Sequence, residues 1–361
     1  MDVIFRSLSE ETPDAAWKKV FNTSWPGWKG WLRARQTVDA PSLATSEKAL
    51  RHHMPEFAPV WERLVESAGA DEEAARFLTF WSPPRYLGQC AQAVTGGDAP
   101  SLIRNYDLDP RLSEATMLKS AWSGRQVMGM VEGLAGLADG INADGLAVSL
   151  AYGGRREVGV GFGVPLTIRY LLETCTTVAE AEETLRRLPH HMSYNLTLLD
   201  RTGAHRTAMI APDRELIVSD ARVVTNHQGR VEDERHAAFC NTVGRLDHLE
   251  ACEVGALDRG EVIDLFQTAP MFNTQFEAGF GTVYTAAYTP ERGEATLVWP
   301  GQPEWSQSFD DFREETRAVS YGTGAAPWQE GTVTQDGEPD WVRFVPPAAR
   351  RWVLLGVDNA A

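Results

Sequence analysis

The chain changes character near residue 89, and this change constrains its fold more than any other feature of the sequence. Residues 1–89 hold six of the twelve tryptophans and two segments with apolar residues three and four apart, FAPVWERLVESAG and EEAARFLTFW. This spacing predicts amphipathic helices. The runs that follow, such as LAVSLAYGG, YNLTLLD and HRTAMIA, are short and often β-branched, which predicts strands. A helical N-terminal segment therefore precedes a larger part built from sheets.

Turn residues indicate how the strands connect. Gly203 and Asp213 separate consecutive runs, which predicts an antiparallel meander, and TPERGE between TVYTAAY and ATLVWP predicts a hairpin. Two helical segments, VPLTIRYLLETC and VAEAEETLRRL, interrupt the strands, and Thr177 with Glu180 forms a capping box before the second. Strands on either side of a helical pair predict an α+β layered domain, with packed sheets and external helices. The Gly- and Pro-rich tail after Tyr321 is expected to be irregular.

Composition excludes several classes of partner. The 361 residues contain 34 Lys and Arg against 50 Asp and Glu, a formal net charge of −16. Such a surface repels nucleic acid and anionic membranes, so neither is an expected partner. No apolar run approaches the ~20 residues that span a bilayer, and the N-terminus does not read as a secretory signal. Four cysteines without CxxC spacing indicate free thiols, and we expect a cytoplasmic protein.

Motifs for phosphate or metal binding are weak. GVGFGVP lacks the last glycine of a dinucleotide fingerprint and has no Walker lysine, so a glycine-rich strand-to-helix connection is the better interpretation. The pairs His52-His53 and His190-His191 are adjacent residues, whose side chains rarely reach one metal. We therefore expect no metal site and no organic cofactor.

The segment LGQCAQAVTGGDAPSLIRNYDLDP, residues 87–110, concentrates the candidate chemistry. CAQAV and SLIRNYD are predicted strands, and TGGDAP between them predicts a hairpin bend. Such a hairpin brings Arg104 and Asp107 back toward Cys90, so a thiol, a guanidinium and a carboxylate share one small site. A buried, inert cysteine beside a local Arg104–Asp107 ion pair fits the same spacing. The spacing alone leaves both interpretations open.

This segment resembles the cysteine-nucleophile branch of the N-terminal-nucleophile hydrolases. That branch includes acyl-coenzyme A:6-aminopenicillanic acid acyltransferase and, more remotely, penicillin V acylases and bile salt hydrolases. Its pattern is a cysteine that begins a strand and a return strand reading Arg-Asn-x-Asp, here residues 104–107. The resemblance spans most of residues 88–303 in the family's order, through these further pieces: DGINADGLAVSLAY, GFGVPLTIRYLLETCTTVAEAEETLRRLP, NLTLLDRTG, VVTNH and TVYTAAYTPERGEATLVWPGQP.

The resemblance implies a four-layer αββα fold of two stacked antiparallel sheets, preceded by the helical segment. It also implies self-cleavage between Gln89 and Cys90. Residues 1–89 would then be a short chain that stays with the catalytic domain, residues 90–361. The residue before the nucleophile is Gln89, where glycine is common in this branch, and Gly88 stands one place earlier.

Cleavage would give Cys90 an α-amino group with a pKa near ~7.7–8.0. This amine can take the thiol proton and later return it to the leaving group, so no histidine partner is needed. We assign Asp107 to orienting the amine, and Arg104 to stabilising the thiolate or holding Asp107. Asn226 matches the asparagine that donates to the oxyanion in related enzymes, although a turn asparagine would look the same. A second donor is expected from the backbone near Ala151 or Tyr152, and Tyr152 could equally be pocket wall.

The predicted function is hydrolysis or transfer of the acyl group of a small amide through a Cys90 thioester. Two alternatives stay open. The first is strict acyl transfer from an acyl thioester such as acyl-coenzyme A. The second is an uncleaved, inactive relative that only binds a small ligand. Specificity resides in pocket side chains that fold-level analogy does not identify.

Overall fold

The computed structural model describes residues 1–35, 40–86, 89–276 and 280–322, and over these residues it forms two β-sheets. In spatial order the nine-stranded sheet contains β10 (Ile217–Ser219), β9 (His205–Ile210), β8 (Tyr194–Leu199), β7 (Ala147–Tyr152), β6 (Gly136–Asn142), β5 (Val127–Glu132), β4 (Thr116–Ser120), β1 (Asp2–Glu10) and β15 (Glu315–Ser320). The six-stranded sheet contains β11 (Val223–Val224), β2 (Gln89–Val94), β3 (Leu102–Leu108), β12 (Gly281–Thr289), β13 (Glu294–Val298) and β14 (Trp305–Ser308).

The two sheets pack face to face, and the hairpin β2–β3 lies against β7 and β8. Apolar side chains from both inner faces fill the space between them. Polar contacts cross the same interface: Gln92 Nε2 of β2 donates to the carbonyl of Asn195 on β8 at 3.2 Å. The predicted hairpin around TGGDAP thus exists; its two strands are buried, whereas Gly97 and Asp98 at its bend are exposed.

Helices cover both outer faces. The nine-stranded sheet carries α5 (Val164–Thr174) and α6 (Val178–Arg187), and the six-stranded sheet carries α8 (Thr242–Ala251) and α9 (Arg259–Phe266), with the short α7 (Glu234–Phe239) before α8. Thr177 caps α6 by accepting from the backbone N–H of Glu180 at 3.3 Å. The layers are helix, sheet, sheet and helix, which confirms the predicted α+β αββα architecture.

The N-terminal segment forms four helices: α1 (Ala15–Arg35), α2 (Leu43–His53), α3 (Ala58–Ala68) and α4 (Glu72–Phe77). Their apolar faces meet in a cluster that also contains Leu118 and Leu134 from the part of the chain after residue 89. The indole of Trp17 donates to the Leu134 carbonyl at 3.0 Å. The helical prediction is confirmed for this stretch, and the tryptophans attach it to the sandwich.

The segment nevertheless begins with a strand that the sequence analysis did not predict. β1 pairs antiparallel with β15 and parallel with β4, so one parallel pair interrupts the otherwise antiparallel sheet. The side chains of Phe5 and Ser7 are buried while their neighbours are more exposed, the alternation of a strand that is covered on one face. β1 therefore ties the N-terminal segment into the large sheet.

Other predicted elements are found at their places. β8, β9 and β10 form the expected meander, and β12 and β13 form the expected hairpin. The tail after Gly322 lies outside the described residues, as do Leu87 and Gly88. The four cysteines form no disulfide. None of the helices in the described ranges has the length and apolar character that a membrane crossing requires.

Candidate active site

The β2–β3 hairpin places Cys90 opposite Tyr106, with Arg104 on the return strand close to the thiol. Arg104 Nη2 donates to Cys90 Sγ at 2.9 Å, and Nη1 donates to the Ala138 carbonyl at 3.1 Å. Nη1 also forms an ion pair with Asp139 of β6. We call Arg104 and Asp139 the thiol-side pair. Both side chains are fully buried.

Tyrosines from β12 complete the surroundings of Asp139. The hydroxyl of Tyr284 donates to Asp139 Oδ2 at 3.0 Å, and Tyr288 donates to Oδ1. Hydrogen bonds from this many donors offset the free-energy cost of burying the Asp139 carboxylate. Asp139 can therefore hold the Arg104 guanidinium in position beside the sulfur.

A second arginine–aspartate pair lies at the backbone of Cys90. Its backbone nitrogen donates to Asn226 Oδ1 at 3.2 Å, and Arg245 Nη2 donates to the same oxygen at 2.7 Å. Arg245 Nη1 also donates to Asp107 Oδ2 at 2.8 Å, while Thr282 donates to Asp107 Oδ1 at 2.7 Å. We call Arg245 and Asp107 the amide-side pair.

Asn226 connects the amide-side pair to β7. Its Nδ2 donates to the Tyr152 carbonyl at 3.0 Å, and its own backbone N–H donates to Thr242 Oγ1 at 2.7 Å. A side-chain amide has two N–H donors. Within the described residues only one of them is engaged, so a second donor remains for a group beside Cys90.

Tyr152 and Ala151 end β7. The Gly153 N–H donates to the Ser193 carbonyl at 2.9 Å, which makes 153 and 193 a hydrogen-bonded pair of the ladder. Hydrogen-bonded pairs alternate with non-hydrogen-bonded pairs in an antiparallel sheet. Ala151 therefore belongs to a hydrogen-bonded pair with β8, whereas the N–H of Tyr152 does not donate to β8. Tyr152 is thus the better placed of the two predicted backbone donors. Its ring also packs edge-on against His236 at 4.9 Å.

Burial dominates the electrostatics of the site. It raises the pKa of the Cys90 thiol to about 11, although the Arg104 guanidinium acts in the opposite direction. Burial also raises the pKa of Asp107, against the effect of Arg245. In the continuous chain Cys90 is therefore a thiol at neutral pH, and it needs a base to become a nucleophile.

The structure brings together most of the predicted site residues. Cys90, Arg104, Asp107, Asn226 and Tyr152 all border one buried site. Arg104 contacts the thiol and does not hold Asp107, which is bound by Arg245 instead. The interpretation of Arg104 and Asp107 as a local ion pair is wrong, because each has a different partner.

Arg245, Asp139 and Thr282 were missed by sequence reasoning. A signal existed for Arg245: Thr242, Arg245 and Leu249 are the buried residues of α8, at the spacing of one helix face. An arginine on a buried face needs an acidic partner. Asp139 and Thr282 lie within strands, where an alternating pattern does not distinguish a functional side chain from a structural one.

An apolar cavity with about 380 Å³ of empty space, including its opening to solvent, lies between the N-terminal segment and the sandwich. Trp28, Trp31, Phe77 and Phe80 line it from the N-terminal side, with Tyr86 and Tyr194 toward the site. Tyr194 donates to the Tyr86 carbonyl at 2.9 Å.

Tyr86 and Tyr106 also share a buried carboxylate. Both hydroxyls donate to Glu132, at 2.8 and 2.6 Å. Glu114 lies beside Glu132 and accepts from the Trp28 indole at 2.8 Å. These contacts join the residues before Cys90 to the strand opposite it. Among the described residues no group of three or more His, Cys, Asp or Glu is arranged to hold a metal ion.

The site thus holds a buried cysteine at the start of a strand, with an arginine on its sulfur and an asparagine on its own nitrogen. The comparison with known families places the chain among enzymes that act on amide bonds, as hydrolases or acyltransferases. The model of the family "Acyl-coenzyme A:6-aminopenicillanic acid acyl-transferase" matches residues 94–304, more than half of the chain. The chain belongs to this family. The match contains Arg104, Asp107, Tyr152, Asn226 and Arg245, and begins just after Cys90.

Solved structures give more distant likenesses. A mutant conjugated bile acid hydrolase from Clostridium perfringens is 14% identical over 65% of this chain and 97% of its own, with a TM-score of 0.42. Penicillin V acylase from Agrobacterium tumefaciens is 14% identical over 65% and 92%, with a TM-score of 0.40. The Caenorhabditis elegans ortholog of N-acylethanolamine-hydrolyzing acid amidase is 18% identical over 64% and 100%, with a TM-score of 0.43. No curated protein sequence matches the chain.

Proposed function

We propose that the protein cleaves its own Gln89–Cys90 bond and then hydrolyses or transfers the acyl group of a small amide through a Cys90 thioester. One observation carries this proposal: separate groups hold the sulfur and the backbone nitrogen of the same residue. Arg104 contacts Sγ at 2.9 Å, and Asn226 contacts the nitrogen at 3.2 Å. A cysteine buried only for packing has no need of either contact.

Cleavage would convert that nitrogen into the general base. A free α-amine with a pKa near ~7.7–8.0 can take the thiol proton at neutral pH, which the peptide nitrogen cannot do. Asn226 Oδ1 already accepts from the nitrogen, and the negative charge of Asp107 lies close by. These groups would hold the amine as the site forms, so the base needs little reorganisation.

The thiolate then attacks the substrate carbonyl and forms a tetrahedral oxyanion. The unengaged N–H of Asn226 Nδ2 and the backbone N–H of Tyr152 are the donors we assign to it. The amine returns its proton to the leaving nitrogen, which leaves an acyl thioester on Cys90. Water or an acceptor amine resolves that thioester by the same route in reverse order.

In the continuous chain the nucleophile and the residue before it are buried. Cys90 is 0% exposed and Gln89 is 6% exposed. Release of the bond before Cys90 would free the chain end at Gln89, three residues after Tyr86, which lines the apolar cavity. We propose that this cavity receives an apolar part of the substrate, with the scissile carbonyl at Cys90.

Intact-mass measurement of purified protein tests the proposal. We expect two fragments, Met1–Gln89 and Cys90–Ala361, and an uncleaved, inactive Cys90→Ala variant. A matched Cys175→Ala variant should process normally, because Cys175 is also buried but lies on the outer helix layer. Active protein that remains a single chain would overturn self-cleavage. A Cys90→Ala variant with normal activity would overturn the thioester.

The proportion of the thioester that reacts with water or with an acceptor amine distinguishes hydrolysis from acyl transfer. Incubation with an amide substrate and increasing concentrations of an acceptor amine should yield both the free acid and the new amide, with the total rate unchanged if acylation is slow. Strict acyl transfer from a thioester donor predicts little free acid at any acceptor concentration. The product ratio decides between the two.

A further inference from the structure

Two arginines of the N-terminal segment lie together, and no carboxylate of the described residues pairs with either. Arg35 Nη1 donates to the backbone carbonyl of Arg85 at 3.3 Å, and neither guanidinium forms an ion pair with any described residue. The Nε of each is buried and has no hydrogen-bond partner within the described ranges. Acids outnumber bases 50 to 34 in this chain, so two neighbouring arginines that form no ion pair within the described part of the chain call for an explanation.

Arginines close by show the ordinary behaviour. Arg33 pairs with Glu73 at 2.9 Å, Arg155 with Asp213 at 2.6 Å, and Arg156 with Asp233 at 2.5 Å. By contrast, burial lowers the pKa of Arg35, and the positive charge of Arg85 lowers it further. Burying two like charges together costs free energy unless an anion accompanies them.

The position of this pair connects it to the active site. Arg85 Nη2 donates to the Tyr152 hydroxyl at 2.8 Å, while the carbonyl of the same tyrosine accepts from Asn226. Tyr152 thus spans the distance between Arg85 and the group that holds the Cys90 nitrogen. His236 packs against the Tyr152 ring, and its buried Nε2 lacks a hydrogen-bond partner among the residues described.

We propose that Arg35 and Arg85 form an anion-binding subsite, with His236 at its edge, that recognises a carboxylate or phosphate on the substrate about one tyrosine length from the scissile carbonyl. The proposal rests on Cys90 being the nucleophile of this site. Two guanidiniums offer paired donors to such an oxyanion group. Both arginines lie outside residues 94–304, so the family match does not include them. The N-terminal segment would therefore select the substrate.

A matched pair of chromogenic substrates tests the subsite. The phenylacetyl amides of 4-nitroaniline and of 5-amino-2-nitrobenzoic acid differ only by a carboxylate on the leaving group. We expect the processed enzyme to prefer the carboxylated amide in kcat/KM, and Arg85→Gln to reduce this preference by about tenfold or more. Arg85→Lys should keep part of it, because the charge remains.

Arg33→Gln is the control for Arg35→Gln, since Arg33 is two residues away on α1 but exposed and paired with Glu73. Arg35→Gln should reduce the preference and Arg33→Gln should not. Protection of Cys90 from iodoacetamide by each amide gives a second measurement that does not depend on turnover. Equal protection by the two amides, or none from either, would overturn the subsite. Failure of Cys90 to form an acyl-enzyme overturns the proposed function instead.

Coenzyme A distinguishes the two sources of the anion. Protection of Cys90 by coenzyme A, lost in Arg85→Gln, would assign the subsite to the phosphates of an acyl-thioester donor. Protection by the carboxylated amide but not by coenzyme A would assign it to a substrate carboxylate. Each result supports the anion subsite and identifies its ligand.

Discussion

The thiol-side pair and the amide-side pair contain the same two residue types but act on different atoms of Cys90. Arg104, held by Asp139, reaches the sulfur directly. Arg245, held by Asp107, reaches the nitrogen only through Asn226. Both pairs are buried, so neither is a surface ion pair of small consequence. The two pairs have the same composition, so the role of each is decided by the atom of Cys90 that it acts on.

Removing the acid from either pair should give the largest loss. Asp139→Asn and Asp107→Asn each leave a buried guanidinium without its counter-charge, which costs roughly 3–5 kcal/mol of unfolding free energy. Urea unfolding at pH 7 measures it. Asp311→Asn is the control, because Asp311 and Arg313 form an exposed pair, and it should change stability by less than about 0.5 kcal/mol. Similar small losses in all three variants would contradict the assigned burial of the two pairs.

Asn226 tests the amide side without removing a charge. If its Nδ2 donates to the oxyanion, Asn226→Ala should lower kcat by about 10²–10³, or roughly 2.7–4 kcal/mol, with little change in KM. Asn105→Ala is the control: Asn105 is also a buried asparagine, but it donates to carbonyls under α9 and should lose stability rather than turnover. Processing of both variants must be confirmed by mass. A near-normal kcat for processed Asn226→Ala would exclude the oxyanion role.

The rate at which Cys90 is labelled distinguishes the two pairs, because only the thiol-side pair contacts the sulfur. Before processing, a thiol with a pKa of about 11 and no exposure should react with iodoacetamide at pH 7.5 roughly 100-fold more slowly than an ordinary cysteine. The partly exposed Cys252 should therefore be labelled first. After processing the order should reverse. In processed protein, Arg104→Met should slow Cys90 labelling by about tenfold and Arg245→Met by less, because only Arg104 touches the sulfur. Equal slowing of Cys90 labelling in the two variants would contradict separate roles for the two arginines.

Glu114 is a buried acid that, unlike Asp107 and Asp139, forms no ion pair with an arginine of the described residues. Burial and, to a smaller extent, the neighbouring Glu132 carboxylate together raise the pKa of Glu114 to about 8. From about pH 4.5, its value in an unfolded chain, to about pH 8 the folded protein retains a proton that the unfolded chain has lost, so stability falls as pH rises. Glu114→Gln should match the wild type at pH 5 and exceed it at pH 9 by an amount on the order of 2 kcal/mol.

Thermal melting at the two pH values measures this smallest effect. Glu62→Gln, which removes an exposed carboxylate, should show no such pH dependence. A Glu114→Gln variant that is less stable than the wild type at pH 9 would show that the carboxylate is compensated in the fold.

The sequence predicted one side of the site far better than the other. Cys90 and Arg104 are fourteen residues apart on one hairpin, so turn chemistry alone brings them together. Arg245 reaches Asp107 from a helix 138 residues further along the chain. No local pattern encodes that distance, because it depends on how α8 packs against β11. Asn226 was assigned through the family resemblance, since its residue type would also fit a turn.

The elements of the fold also divide into those that local sequence predicts and those that it does not. The meander, the two hairpins and the helices α3 and α4 follow from periodicity and turn residues, and they are present. The strand β1 was not predicted, because a single strand that is completed by residues 315–320 has no partner nearby in sequence. Its pairing is decided by tertiary structure alone.

The place of β1 has a consequence for refolding. Cleavage before Cys90 would assign β1 to one chain, while its neighbours β4 and β15 belong to the other. The two products would then share a continuous set of backbone hydrogen bonds and could separate only by opening the large sheet. Refolding of the precursor is a reaction of one molecule, whereas refolding of the cleaved protein would require two. Recovery after denaturation should therefore depend on protein concentration only once the bond has been cut.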